Sequence, residues 1–308
     1  MSTILEPGQI EAAASAPPFL YLPPANLFAL RAERLEALAQ GNALGDYLQL
    51  IASLCRVQQG LLDDPPLPAP EHSERQRLCL EHGLPPLAAD SLVREGHWLA
   101  YLSALLERYP MPAAAELAAA VNSLRDARDE QRKLWGIALL TGQYSVVPPA
   151  LVPFLGAALQ AAWSHWLLNL PGAELKAGDS LCQCPGCGSP AMAGVIRHRG
   201  KHNGLRYLVC SLCACEWHVV RVKCVYCEQS KGLEYFNLED DRYAAGKAPL
   251  RAECCPGCKC YLKQIYLEND AGAEALSADL ASLALDIRLD EEGYQRMAPN
   301  LMLAPGGE

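Results

Sequence analysis

Cys182-Gln183-Cys184-Pro185-Gly186-Cys187-Gly188, Cys210-Ser211-Leu212-Cys213-Ala214-Cys215, Cys224-Val225-Tyr226-Cys227 and Cys254-Cys255-Pro256-Gly257-Cys258-Lys259-Cys260 decide the reading of this 308-residue chain. Twelve of its fourteen cysteines fall in the 79 residues from Cys182 to Cys260, and eight form four Cys-x-x-Cys pairs: Cys184/Cys187, Cys210/Cys213, Cys224/Cys227 and Cys255/Cys258. Such a turn sets two sulfurs about 3.8 Å apart, the edge of a tetrahedron with metal–sulfur bonds of about 2.3 Å. Two turns close one four-thiolate site, so four close two. A disulfide framework belongs to short secreted chains and fits poorly here. A thioredoxin-type pair needs a helix start, whereas these pairs are flanked by strand-like runs at Leu205–Val209 and Trp217–Val222. An iron–sulfur cluster would draw on Cys182, Cys215, Cys254 and Cys260, but the spacing lacks the clustered runs of ferredoxins.

The knuckle–strands–knuckle pattern occurs twice, so each half reads as a rubredoxin-like or zinc-ribbon unit. Sequential pairing gives site one as Cys184, Cys187, Cys210 and Cys213, and site two as Cys224, Cys227, Cys255 and Cys258. It is preferred to an interleaved arrangement because each unit closes the shorter loop. The ten residues Ala214–Lys223 reach at most about 33 Å when extended, which keeps the sites near one another. His218 reads as a strand residue, since each site already has four thiolates. Arg197, His198, Arg199, Lys201, His202 and Arg206 form a basic run with two readings, an exposed hairpin tip or a docking surface for an acidic partner.

Outward from this segment, apolar residues recur at helical spacing over 26–40, 44–62, 74–81, 96–108, 113–125, 130–140 and 152–168. Trp98, Trp135, Trp163 and Trp166 are expected in the core, and Cys55 and Cys79 as buried, inert thiols. Residues 63–70 read as a proline-rich loop and 169–180 as a linker. Leu276, Leu280, Leu283 and Ile287 mark a terminal helix, with Asp279, Asp286 and Asp290 on a solvated face. The fold class expected is α+β multidomain: an all-helical domain with an extended N-terminal arm (1–170), metal modules at 180–222 and 223–267, and a C-terminal helix and tail (272–308).

Residues 134–173 carry no Asp, Glu, Lys or Arg, but prolines and polar side chains interrupt them, so a buried core helix is expected in place of a membrane span. The N-terminus lacks a basic leader, with its first basic residue at Arg31, and the cytoplasm is the expected address. The net charge of −9 argues against nucleic acid, although residues 180–266 hold 12 Lys/Arg against 7 Asp/Glu. A nucleic-acid reading would rest on Arg197, Arg199, Lys201 and Arg206. No phosphate loop, Gly-x-Ser-x-Gly or two-histidine zinc helix occurs, and closed four-thiolate sites cannot activate water, so an enzyme is not expected. The alternative within redox chemistry is a rubredoxin-like electron carrier.

The run Cys184-Pro185-Gly186-Cys187-Gly188, Gly204-Leu205-Arg206-Tyr207-Leu208 into Cys210-x-x-Cys213, Glu216-Trp217-His218 and Arg221-x-Lys223-Cys224-x-x-Cys227 resembles the formate dehydrogenase accessory protein family, FdhE. So do Ala252-Glu253-x-Cys255-x-x-Cys258, Tyr261-Leu262-Lys263, residues 278–283 and the N-terminal Phe28–Leu35 run. The resemblance implies a cytoplasmic factor that matures respiratory formate dehydrogenase by binding its catalytic subunit, with iron held by the paired cysteines. Zinc is the alternative metal. Cys182, Cys215, Cys254 and Cys260 lie outside the family's pattern and read as non-ligands. Rubredoxin loops use a glycine after the second cysteine; only Gly188 supplies it, with Ala214, Glu228 and Lys259 elsewhere, which leaves iron or zinc open at site two. A homo-oligomer also stays open.

Overall fold

A computed structural model of the chain describes residues 17–68, 74–170, 175–176, 178, 180–198, 203–238, 243, 246–298 and 300–303. Leu27–Ala39 (α1) and Gly45–Asp63 (α2) form a hairpin that buries Phe28, Leu35, Leu48, Ile51 and Leu54. Glu74–Glu81 (α3), Ala89–Glu95 (α4), Leu99–Arg108 (α5), Ala115–Asp126 (α6) and Asp129–Leu140 (α7) follow, and Val152–Leu168 (α8) passes through the centre. The expected helix start at Gly96 is corrected. Gly96 ends α4 in the left-handed region, φ 85°, with its N–H on the Leu92 carbonyl, and α4 is too short to show a period. Trp98, Trp163 and Trp166 are buried and Trp135 is half-buried; Cys55 is buried, but Cys79 is only half-buried.

Every residue of α8 except Leu168 is buried. Pro149–Leu168 is long and apolar enough to cross a membrane, yet 94% of its window is buried within the fold. The polar residues that break its apolar run each meet a partner, as buried polar groups must. Gln160 donates to the Ser211 carbonyl at 2.8 Å, Ser164 to the Cys213 carbonyl at 3.4 Å, and His165 Nδ1 shares a 2.6 Å hydrogen bond with Tyr101 OH. Opposite, a Cβ on Gly156 would lie 2.1 Å from the Leu301 carbonyl oxygen, so only glycine lets the C-terminal segment cross α8 there.

The strands are Leu20–Tyr21 (β1), Ala191–Ile196 (β2), Arg206–Cys210 (β3), Glu216–Val219 (β4), Glu234–Phe236 (β5), Leu250–Cys254 (β6), Cys260–Tyr266 (β7) and Gln295–Arg296 (β8). They form one sheet in the order β1-β4-β3-β2-β7-β6-β5, with β8 on β7. Each cysteine-rich unit contributes three strands in the same antiparallel order, third-second-first, and the first strand of one unit (β2) pairs in parallel with the third of the other (β7). The arm's described end, β1, pairs with the outer edge of β4.

The expected terminal helix is two, Ala275–Ala281 (α9) and Leu283–Glu291 (α10), broken at Ser282, and Ile287 is exposed. The solvated-face expectation for Asp279 and Asp286 is also corrected. Asp279 is 1% exposed, and Lys263 Nζ, itself buried, lies 3.1 Å from its Oδ1 as an ion pair without hydrogen-bond alignment and 2.5 Å from Asp286 Oδ2. Arg296 pairs with both carboxylates, and Tyr261 OH donates to Asp286 at 2.6 Å. Helical spacing of the aspartates carried no sign of this, because their partners come from β7 and β8. The network pins α9 and α10 to the sheet.

Candidate metal centres

All four Cys-x-x-Cys turns share one backbone. The residue after the second cysteine is left-handed in each: Gly188 at φ 75°, Ala214 at 58°, Glu228 at 63° and Lys259 at 57°. The first cysteine of each turn donates its N–H to the carbonyl five residues on: Cys184 to Ser189 at 2.9 Å, Cys210 to Cys215 at 2.9 Å, Cys224 to Gln229 at 2.8 Å and Cys255 to Cys260 at 2.9 Å. The turn aims amides at sulfur, with Gly186 N–H 3.3 Å from Cys184 Sγ and the N–H groups of Leu212 and Cys213 each 3.4 Å from Cys210 Sγ. Such N–H···S contacts favour the thiolate, the form that binds metal. Three turns hold this shape at non-glycine residues, where the left-handed region costs roughly 1–2 kcal/mol each.

The turns meet in the sequential pairs. In each group of four, Cys184, Cys187, Cys210 and Cys213 or Cys224, Cys227, Cys255 and Cys258, the sulfurs all lie within 4.8 Å of one another. Cys184 and Cys213 are 3.5 Å apart, Cys187 and Cys210 3.4 Å, Cys224 and Cys258 3.7 Å, and Cys227 and Cys255 3.5 Å. These separations fit a metal with four sulfur ligands, whose tetrahedral edge is about 3.8 Å. Both groups stand at one end of the sheet, because β2 and β7 are parallel neighbours and each begins just after a turn.

The two groups differ in burial. All four thiols of site one are buried, and its turns are tied to the helical body through Leu87 N–H on Gly186 O and Ala89 N–H on Cys187 O, both 2.9 Å, besides Gln160 and Ser164. A cleft of about 390 Å³ beside α4 borders Cys187, which stays 1% exposed. Burial pushes the thiols of Cys184, Cys210 and Cys213 up, and works against ionising Cys187 too, yet hydrogen bonds from the other three draw Cys187 well below its usual value. A divalent cation would supply the charge that offsets this burial and ionises the thiols. At site two Cys224 and Cys255 are buried, Cys258 is half-buried and Cys227 is exposed. The Gln229 backbone N–H, aimed by the left-handed Glu228, helps draw Cys227 down to about 7.

Cys182, Cys215, Cys254 and Cys260 join neither group. Cys215 is nevertheless buried, with its carbonyl accepting the Cys210 N–H, and Cys260 Sγ points at the Cys258 carbonyl at 3.6 Å. Both occupy the second position after a module's last turn, a Cys-x-x-Cys-x-Cys repeat that is visible in the sequence. His218 is a half-buried strand residue on β4, stacked edge-on against Tyr207. Of the basic run, open between a hairpin tip and a docking surface, the two described arginines are engaged within the fold. Arg197 pairs with Glu216 and lies over Tyr21, 3.9 Å from the ring centre, while Arg206 is 1% exposed and paired with Glu253 at 3.0 Å. Arg199, Lys201 and His202 lie outside the described residues. The nucleic-acid reading loses the same two arginines.

Residues 16–179 match the family model described as FdhE, N-terminal, residues 183–221 the FdhE central domain, and residues 222–303 the FdhE C-terminal domain. A Pseudomonas putida protein named Protein FdhE homolog is 72% identical over 307 residues, covering 100% of this chain and 96% of that relative. The Pseudomonas aeruginosa protein of the same name is 62% identical over 306 residues, 99% of each chain. The crystal structure of the FdhE protein from Pseudomonas aeruginosa superposes with a TM-score of 0.89 at 60% identity, over 94% of this chain and 100% of that one.

Proposed function

The chain belongs to the FdhE family, and on that footing we propose that it is a maturation factor for respiratory formate dehydrogenase, acting in the cytoplasm on the catalytic subunit through or alongside its four-cysteine head. The observation that bears most on this reading is the pairing of eight cysteines into two closed groups. Cys184, Cys187, Cys210 and Cys213 would hold one metal, and Cys224, Cys227, Cys255 and Cys258 the other, iron at both, with zinc the alternative. Bound iron would supply a one-electron couple, and zinc a redox-silent crosslink. Four protein sulfurs leave no open coordination position, so the chemistry available is holding a shape or passing an electron, not hydrolysis. Deleting the gene should abolish formate dehydrogenase activity, and the intact gene should restore it while a Cys187→Ser copy does not. Full activity in the deletion strain would sink the proposal.

The exposure of Cys227 favours one further reading, a rubredoxin-like electron carrier that reduces the client. Anaerobically purified protein would then show a visible thiolate–iron band that dithionite bleaches reversibly. Colourless protein with two zinc ions per chain would remove this reading and leave the first.

A further inference from the structure

We propose that Arg206, a residue of the first unit, is the positioning residue of site two: its buried guanidinium fixes the chain leading into both Cys-x-x-Cys turns of that site, so the hold of site two on its metal depends on it. The inference rests on the reading of Cys224, Cys227, Cys255 and Cys258 as metal ligands, and it adds a residue from outside their module. Arg206 opens β3 and is 1% exposed. Its Nη1 donates to the Lys223 carbonyl at 3.0 Å and lies 3.0 Å from Glu253 Oε1. With the Gln264 amide turned so that its oxygen faces the guanidinium, that oxygen accepts from Nε at 3.2 Å and from Nη2 at 3.1 Å. A Cβ on Gly194, opposite Gln264 in the parallel pair of β2 and β7, would lie 2.1 Å from the nearest atom of that amide, so glycine there gives the side chain its place.

The Lys223 contact acts on the first turn of site two. Lys223 O and Cys224 N belong to one planar peptide group. Arg206 holds its carbonyl end, and its N–H end makes the 2.8 Å bond to the Gln229 carbonyl that closes the Cys224 turn. Packing does little to fix the linker that arrives here. Val220 and Val222 are 64% and 52% exposed, and Val222 sits in the left-handed region, φ 61°, which a β-branched residue disfavours. Arg221 Nη1 adds a 3.3 Å bond to the Gly204 carbonyl, but from an exposed side chain.

The Glu253 contact acts on the second turn. Glu253 is buried on β6, two residues before Cys255, and its other oxygen accepts from Tyr235 OH at 2.8 Å. Tyr235 is on β5, the strand that follows the Cys224–Cys227 turn, so the guanidinium is tied through Glu253 to the strands beside both turns. A buried charge is tolerated when it is paired and hydrogen-bonded, and here the acceptors are a carboxylate, a carbonyl and an amide. Groups outside the ligand set that orient the ligands change metal affinity by about 10–100-fold when removed. Site one takes its support from Leu87, Ala89, Gln160 and Ser164 of the helical half. Loss of the Arg206 contacts should therefore be felt at site two alone.

The test loads full-length protein with cobalt(II), whose visible bands report tetrahedral sulfur coordination, and titrates it with a chelator. The step of cobalt loss that is absent from Cys227→Ser belongs to site two. In Arg206→Gln/Glu253→Gln, which removes the ion pair without leaving a buried charge, that step should move to a chelator concentration lower by about tenfold or more, with the site-one step within about twofold of its original place and the helical circular dichroism unchanged. The control Arg31→Gln/Glu274→Gln, which removes the ion pair between α1 and the start of α9, should leave the site-two step where it was. Where the double variant fails to fold, Arg206→Lys decides: its ammonium keeps a charge beside Glu253 without the guanidinium fork that also serves the Lys223 carbonyl and Gln264, and the site-two step should again move alone. A site-two step that stays in place, or both steps moving together, overturns the positioning role while leaving two metal centres. An unsubstituted chain that takes up cobalt only at site one overturns the metal reading of site two and the positioning role together.

Discussion

Glu228 shows how one residue's backbone serves a metal centre. Its φ of 63° turns the chain so that the Gln229 N–H reaches Cys227, and it holds that conformation with a Cβ that disfavours it. Its side chain is 61% exposed, and its ion pair with Lys223 is a surface one that contributes little. Glu228→Gly should therefore stabilise the second module by about 1 kcal/mol, the left-handed penalty less the added chain entropy of glycine. A higher chelator concentration for half-loss of the site-two metal checks it, and a lower one would show that the penalty is absent. The eight paired cysteines were legible because their spacing is the chemistry itself. The shared left-handed turn was not, because Ala214, Glu228 and Lys259 carry no glycine to announce it. The pairing of Arg197 and Arg206 was hidden for another reason: charge along a chain says nothing of the Glu216 and Glu253 that meet it across strands.

At the scale of the element, α8 joins the helical half to site one. Its periodicity gave its bounds in advance, 152–168, and its buried character, but not why Gln160, Ser164 and His165 interrupt it; their partners are turn carbonyls and a tyrosine on α5. Burial lowers the pKa of His165, whose Nδ1 is held by Tyr101 OH. With a folded pKa below the unfolded value of about 6.5, neutral His165 contributes stability that is present above that pH and is lost as pH falls through the folded pKa. The urea midpoint should drop more steeply from pH 7.5 to 5.5 in the native chain than in His165→Gln, with the acid sensitivity of the metal thiolates common to both. Parallel curves would show that His165 does not titrate against the fold. The break between α9 and α10 escaped the sequence because the apolar repeat runs through it; Ser282, whose hydroxyl bonds back to the Ala278 carbonyl at 2.8 Å, ends the first helix.

For the whole molecule, the repeat in the sheet and the attachment of each site make the two metals unequal. Site one lies in a core continuous with α8 and the helical hairpin, so opening it disrupts contacts that hold the body together. Site two is backed by the smaller cluster of Ala252, Cys254, Tyr261, Leu285, Leu289 and Tyr294, and one of its sulfurs already faces solvent. Local openings span free energies from near zero up to that of global unfolding, and metals leave through the openings that expose their ligands. With a high-affinity chelator in excess, metal should leave in two phases, the first faster by about tenfold or more, equivalent to about 1.4 kcal/mol or more in opening free energy. Helical circular dichroism should survive the first phase and fall with the second. Cys227→Ser should remove the fast phase alone, and Cys187→Ser the slow one. A single phase, or loss of the fast phase in Cys187→Ser, would mean that burial does not govern release and that the two modules open together, as one sheet joined at β2 and β7 would allow.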